Sequence, residues 1–441
     1  MSADTRSRYG NVDLSRQAEA AGIKEFILPG DVPVITGYAA LTGLGNAEET
    51  YNRMLRGDSA VRVINTMVGG EIVKRVAAPI DFDPKQHFDR KALRGIPNAT
   101  ALAMFLAREA ADAAGILGDN GKLRSDVDGD RASTTVATAM ERVADVVDIS
   151  DTLRAGHKIH PLDGLAIFLG QQAGRISQHI GLRGWGNSST EACASGLSSI
   201  ADAAELVRTG RSDIVLAGGI DDILSNYPEL GPEIFGSMGA YSGRVDNPQG
   251  ASRPFDKGRD GIVIGSGGAV LVVEGMRHAI ARKAKIYATI LGAEKGMDGF
   301  DPVNADSDRI ARLILKTLKK PDEDGFYPAG AIFAHATSTL KGDRVEIDAL
   351  RKVFGDSLNQ IPITAPKSSL GHLLGGAGAV NALLAINALE TGVIPPTLNL
   401  EDSEFPELDI VTFVTKRDPQ TALATGYGMG GLNATVLFGK Y

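Results

Sequence analysis

The 441-residue sequence predicts an α/β fold built from two halves of similar order. Three observations carry that expectation. Short apolar, β-branched runs alternate with stretches whose apolar residues recur at helical spacing, as in α/β proteins. The alternation passes once and then again in similar order, which suggests a structural duplication, although no clear internal repeat accompanies it. Glycine is abundant and aperiodic, 53 of 441 residues or about 12% against a usual ~7%, which suits tight turns and close backbone approaches and excludes collagen.

The elements follow in chain order. Residues 1–30 are polar and predict a loose arm or peripheral helix. PVITGYAAL (33–41) reads as a first buried strand, and residues 46–57 as an amphipathic helix stopped by Gly57. The Ala-rich stretch 99–116 has helical periodicity. ASTTVATAM (132–140) is β-branched and reads as a strand, 196–209 as a helix ended by Gly210, and DIVLAGG (213–219) as a short apolar strand. GIVIGSGGAVLVVE (261–274) reads as a hairpin around a glycine turn. The second series is a strand at 285–293, a helix at 305–320 with Pro321 beyond it, a strand at 331–338 running into a polar loop, a helix at 343–354, a short strand at 362–366 and a helix at 378–392. LDIVTFV, TALATGYG and NATVLFGKY supply closing strands.

Composition excludes several classes. The hydrophobic fraction of 43% and charged fraction of 23% are those of a globular chain, not a disordered one. The net charge of −8 is poor for phosphate backbones, so nucleic acid is not expected as a partner. No apolar run approaches the ~18 residues of a membrane span, and the polar N-terminus carries no apolar signal segment. The single cysteine excludes an intrachain disulfide and a multi-thiolate zinc site. The expectation is a soluble, cytosolic protein.

Cys193 lies just ahead of a predicted helix, whose free N–H groups and dipole favour a thiolate. On that segment alone a buried, inert thiol is the commoner outcome. Of seven histidines, two stand apart. His335 ends an apolar strand, and His372 lies among glycines five residues after Lys367. Both sit at junctions where α/β enzymes place catalytic groups. Either alone is more often structural; with Cys193 they suit nucleophile and acid/base chemistry provided they meet in space, which spacing cannot show. Gly426-x-Gly428-x-x-Gly431 is formally a dinucleotide motif, but only ten residues follow it, too few for a βαβ unit. A backbone turn with N–H groups beside a reacting carbonyl suits it better.

Five co-linear segments from about residue 33 to the C-terminus resemble the elongating β-ketoacyl-acyl-carrier-protein synthases, condensing enzymes of the thiolase-fold superfamily. Glu191-Ala192-Cys193-Ala194-Ser195-Gly196 is similar to that family's T-A-C-x-S/T-G. RPFDKGRDGIVIGSGGAVLVVE (253–274), AHATSTLKGDRVEIDAL (334–350), KSSLGHLLGGAGAVNALLAINALETGVIPPTLNLE (367–401) and GYGMGGLNATVLFGKY (426–441) resemble its further motifs. The resemblance implies a five-layer αβαβα duplication of two βαβαβαββ halves, about 31–284 and 285–441, usually as a homodimer. It implies that Cys193 takes the acyl group, that His335 and His372 bind the malonyl thioester and assist its decarboxylation, and that the amides of Cys193 and Met429 form the oxyanion hole. Lys367 is implied to be buried and paired with a carboxylate, with Glu346 as the motif glutamate. Thr337 and Thr339, with Met429, are implied to line the pantetheine tunnel. No metal or cofactor is implied, since phosphopantetheine arrives on acyl carrier protein. That carrier is acidic, so a basic rim is expected, with Arg90, Lys91, Arg94 and Arg244 as candidates against ordinary surface charge.

The sequence departs from the family pattern in places. Ala336 replaces a glycine, Leu340 a proline, Met429 a gating phenylalanine and Glu191 a small residue. Residues 136–143 replace a stretch usually richer in glycine near the acyl pocket and dimer contact. Thiolases use a second cysteine, which is absent, and the histidine of GHLLG disfavours a chalcone-synthase-like enzyme. A chain-length-factor-like partner subunit typically lacks the cysteine, but the relaxed motifs keep that alternative open.

Overall fold

The computed structural model describes residues 30–441 except 160, 166, 169, 302, 303 and 321–324, so the expected N-terminal arm and Pro321 lie outside the described residues, apart from Gly30. The first half contributes β1 (Pro33–Thr42), α1 (Ala47–Leu55), α2 (Asn98–Ala113), β2 (Ala132–Thr134), α3 (Ser195–Arg208), β3 (Ile214–Asp221) and β4 (Gly267–Gly275). The second contributes β5 (Ala288–Met297), α4 (Ser307–Leu318), β6 (Ile332–Phe333), α5 (Leu340–Phe354), β7 (Ile363–Thr364), α6 (Ala377–Thr391), β8 (Thr421–Gly428) and β9 (Leu432–Gly439). Local chemistry sets several starts. Asn46 and Glu49 form a capping box on α1, Asp306 caps α4, and Thr339 caps α5 by accepting from the Gly342 amide.

The strands pair in the order β7-β6-β8-β9-β5-β1-β4-β3-β2. From its outer edge inward, the second half reads third, second, fourth, fifth, first. The first half reads the same way once the bridge from Gly186 to Thr134 is taken as its third strand. The halves join where β1 meets β5 antiparallel, Val34 opposite Thr289 and Ile35 opposite Ala288. Helix α2 covers the outer face of the first half, and α4, backed by α5, covers the second. Between them lie α3 and α6, each touching strands of both halves. This is a five-layer αβαβα stack with the same order in each half.

The middle layer explains two sequence features. Helix α6 is apolar all round, as befits a helix with no solvent face. It also approaches α3 too closely for a side chain: a Cβ on Gly196 would stand 2.7 Å from the Ala379 amide nitrogen and 2.8 Å from the Gly375 carbonyl oxygen. Both neighbours are backbone and cannot step aside.

Several expected elements differ. The 132–140 strand ends at Thr134 because Thr138, Ala139 and Met140 turn onto the buried Asp221 carboxylate, each bonded at 2.9 Å. The 261–274 hairpin does not form. Ile264–Gly265 pairs parallel with Glu71–Ala78 in a separate three-stranded sheet, while β4 enters the main one; Gly267, at φ +121°, transfers the chain between sheets. The 331–338 and 362–366 strands shrink to two residues each, and LDIVTFV contributes only the bridge of Ile410 to Ile363. Among the described residues no helix is long and apolar enough to cross a membrane.

Gly196→Ala should destabilise the protein by about 2–3 kcal/mol, the cost of overpacking an interior. Urea unfolding followed by circular dichroism measures it, and an unchanged midpoint would refute the close approach.

Candidate active site

Cys193 sits between the last extended residues of its loop and the first turn of α3. The bend is tight: Ala192 has φ +47°, and the Ser195 hydroxyl accepts from the Glu191 amide at 2.9 Å while donating to the Ala192 carbonyl at 2.6 Å. The amides of Met429 and of Cys193 itself both favour the anionic form of the sulfur. Met429 precedes the Gly430-Gly431 turn between β8 and β9, where both glycines have positive φ. One amide therefore comes from each half.

His335 follows β6. Its amide donates to Glu346 Oε1 and to Thr425 Oγ1, both at 2.9 Å, and the next amide, of Ala336, donates to Glu346 Oε2 at 2.7 Å. Thr425 Oγ1 donates to Glu346 at 2.7 Å. These bonds hold the loop in a costly conformation. Ala336, where the family pattern has glycine, has φ +26°, a region that costs a side-chain-bearing residue about 1–2 kcal/mol. Asp343 anchors the same loop further on, accepting from the Ser338 and Phe255 amides and facing the buried Arg259 at 3.3 Å.

His372 is 1% exposed and is held through its backbone by Val263 and Gly265. Its Nδ1 accepts from the Leu374 amide at 3.2 Å, which leaves the ring proton on Nε2. That Nε2 is buried without a partner among the described residues. The two imidazoles meet edge to face, centroids 5.4 Å apart. Lys367 Nζ lies 3.5 Å from His335 Nδ1. Lys367 makes no contact ion pair with Glu346 among the described residues, contrary to expectation, because backbone amides and Thr425 already occupy that carboxylate; the charges interact only through space.

Cys193, His335 and His372 line one cavity of about 440 Å³, with Thr337, Thr339 and Met429 also in its walls. Burial dominates its electrostatics. It pushes the Cys193 thiol up to about 11, against the lowering by Lys367 and the two amides, so the thiolate expected from the helix terminus is not the resting form. Burial, then the Lys367 charge, holds both histidines well below their ordinary value, so both are neutral. Burial also brings Lys367 down to about 8, against Glu346.

The rim candidates divide. Arg244 pairs with Asp260 at 3.5 Å, and Asp260 lines the cavity. Arg90, Lys91 and Arg94 are exposed but line no part of this cavity; they flank a second cleft that includes Leu93, Asp145 and Asp148. Three residues escaped the sequence reading. Lys341 stands in the cavity wall and bonds Asn304. Asp221 joins Met140 to the Gly375 amide, at 2.9 and 2.7 Å. Tyr427 packs edge-on against His335, centroids 5.6 Å apart. The position of Tyr427, two before Met429, was the available signal.

A cysteine at a strained bend into a helix, two neutral imidazoles and paired amides are the arrangement of a thiolase-like condensing enzyme. Residues 32–279 match the β-ketoacyl synthase N-terminal domain and 287–401 its C-terminal domain, so the chain belongs to the β-ketoacyl synthase family. It is 34% identical to 3-oxoacyl-[acyl-carrier-protein] synthase 1 of Haemophilus influenzae, the match covering 92% of this chain and 98% of that one. It is 33% identical to 3-oxoacyl-[acyl-carrier-protein] synthase 2 of Rhizobium meliloti, with the same coverages. Among solved structures, the ishigamide ketosynthase/chain length factor aligns with a TM-score of 0.81 at 29% identity, over 93% of this chain and 100% of that one. A type II polyketide ketosynthase, solved with its acyl-carrier protein and bound to the hexaketide, aligns at 0.78 and 26% identity, with the same coverages. The chain is an acyltransferase that condenses a malonyl unit with an acyl chain, as in fatty-acid elongation. The non-catalytic partner alternative is not favoured.

With its thiol near 11, Cys193 should react with iodoacetamide ever faster from about pH 7 to about pH 10, without levelling, as the thiolate fraction grows. A plateau below about pH 8 would show that the amides and Lys367 outweigh burial.

Proposed function

We propose that the protein extends an acyl chain by two carbons using malonyl-acyl-carrier protein, with Cys193, His335, His372 and Lys367 as its catalytic set. The observation that carries this reading is the unpartnered His372 Nε2–H beside His335, in the cavity that Cys193 also lines. A ring donor without a partner among the described residues, beside a second imidazole, suits a substrate carbonyl oxygen that gains charge.

In the first half-reaction Cys193 Sγ attacks the thioester carbonyl of an acyl-carrier protein. The oxyanion accepts from the Cys193 and Met429 amides, and the pantetheine thiol leaves with the proton given up by Cys193. In the second, the malonyl thioester oxygen accepts from His335 and His372. The bond to the carboxylate breaks, CO2 departs, and its electron pair forms the enolate. The enolate carbon attacks the acyl carbonyl on Cys193, and collapse expels the thiolate, which takes up a proton from solvent. Neutral imidazoles suit this step because they donate to the enolate without protonating its carbon. Lys367 supplies the nearby positive charge that favours the departing thiolate. Glu346 acts indirectly, by fixing the His335 backbone.

Thr337, Thr339 and Met429 wall the pantetheine path, and phosphopantetheine arrives on its carrier, so no resident cofactor or metal is assigned. Arg244 is the rim cation beside that path; Arg90, Lys91 and Arg94 would meet the acidic carrier elsewhere on its footprint. The catalytic unit comprises the halves 31–284 and 285–441. A homodimer is supported by exposed Val146, Leu153 and Phe168, apolar surface of the kind that partners cover. The lone cysteine suits a cytoplasmic protein.

Intact-protein mass spectrometry with acyl- and malonyl-carrier protein tests the reading. Cys193→Ala should form no acyl-enzyme. His335→Ala and His372→Ala should acylate yet condense about 10²–10³-fold more slowly, the usual cost of a lost oxyanion donor. Condensation by Cys193→Ala at the native rate would overturn the assignment. Met429→Phe should shift the preference among acyl lengths, because flexible methionine tolerates more shapes than a ring. Identical rates across a ladder of acyl-carrier substrates would exclude Met429 from selecting the chain.

A further inference from the structure

Glu191 and Lys295 together form a feature that the proposed chemistry does not use. Glu191 lies two residues before the nucleophile, where the family pattern has a small residue. Its carboxylate bonds Lys295 Nζ at 3.0 Å, and the same ammonium bonds Asp202 of α3 at 2.9 Å. Lys295 belongs to β5, in the other half, so the ammonium crosses from one half to the other and holds both the loop before Cys193 and the helix after it. The three side chains are 37%, 20% and 31% exposed for Lys295, Glu191 and Asp202, so they are partly screened from water.

The other end of the link is equally placed. In the sheet Lys295 stands opposite Ala434 of β9, the strand that follows the turn carrying Met429. The Glu191 backbone abuts that turn directly: a Cβ on Gly428 would come within 2.8 Å of the Glu191 carbonyl oxygen. The amides of Cys193 and Met429, one from each half, must converge on one oxygen. Lys295 fastens the two segments that carry them.

We propose that Lys295 and Glu191 are positioning residues for acyl transfer, setting the two oxyanion-hole amides relative to each other across the join of the halves. This rests on the acyl-cysteine reading above. The link bears on the amide pair at Cys193 and not on the histidine pair, since His335 and His372 are held by Glu346, Val263 and Gly265. The charges also predict an order among variants. Removing Lys295 breaks the link and leaves Glu191 and Asp202 as unneutralised like charges, whereas removing Glu191 breaks the link but leaves Lys295 paired with Asp202.

The test measures acyl transfer from an acyl-carrier protein to the full-length protein in a single turnover, and malonyl decarboxylation separately. Lys295→Met should slow acyl transfer about tenfold and Glu191→Gln about threefold, with half-saturation unchanged, since a misplaced donor costs less than a missing one. Decarboxylation should stay within about twofold. Lys295→Arg should restore acyl transfer, and Glu191→Gln/Lys295→Met should be no slower than Lys295→Met, because it leaves no like charges facing each other. Native acyl-transfer rates in Lys295→Met, or an equal fall in decarboxylation, would overturn the inference while leaving the reading of function intact. If Lys295→Met does not fold, Glu191→Gln carries the same two outcomes. Failure of the unaltered protein to acylate at Cys193 would instead remove the reading of function, and this inference with it.

Discussion

Desolvation of one thiol, two imidazoles and one ammonium in a shared cavity is the constraint on which the rest of the site depends. Water would let each group choose its charge by its ordinary acidity. Here burial pushes the thiol up, the imidazoles down and the ammonium down. The resting set is a protonated sulfur, two neutral donors and a lysine near its own titration point. None of these four groups opposes an approaching thioester with a full negative charge. The charges that chemistry demands appear only when substrate brings an oxygen to receive them.

Such a cavity needs a frame that does not relax, and buried carboxylates supply much of it by accepting backbone amides. Glu346 fixes the amides of residues 335 and 336, Asp343 those of 255 and 338, and Asp221 those of 139, 140 and 375. All three are raised by burial and lowered again by those amides. Each joins chain segments distant in sequence. The positive φ at Ala336 and Ser338 persists because these bonds outweigh the local cost, and that at Ala192 because the Ser195 hydroxyl bridges the Glu191 amide and the Ala192 carbonyl.

Sequence alone revealed the long elements and singled out Cys193, His335 and His372, which the fold brings to one cavity. Helix α2 announces itself by its period, α4 by its period and its Asp306 cap, and α3 by the glycine that ends it, while β1, β8 and β9 do so by apolar runs. Resemblance carried the rest of the site, because nothing in spacing brings His335 and His372 to Cys193. What escaped was tertiary. The strand expected at 132–140 breaks because Asp221, some eighty residues on, captures its end. The expected hairpin at 261–274 fails because a strand from residues 71–78 takes one arm. The hairpin of Arg62–Val68 with Glu71–Ala78 was missed although Gly69-Gly70, both at positive φ, is a strong turn signal. The Lys367 pairing was misjudged because the amides competing for Glu346 are invisible in sequence.

The two amides that act on the Cys193 sulfur come one from each half, and that arrangement bears on ancestry. A chain that arose by joining two copies of one unit began with equivalent loops on either side. Here one loop holds the sulfur and the other the second hydrogen-bond donor, so neither copy retains a complete reaction centre. The copies were free to specialise in the side chains they present, but a drift in how one leans on the other displaces a donor by the same distance. Division of labour and mutual geometry were therefore inherited as one trait.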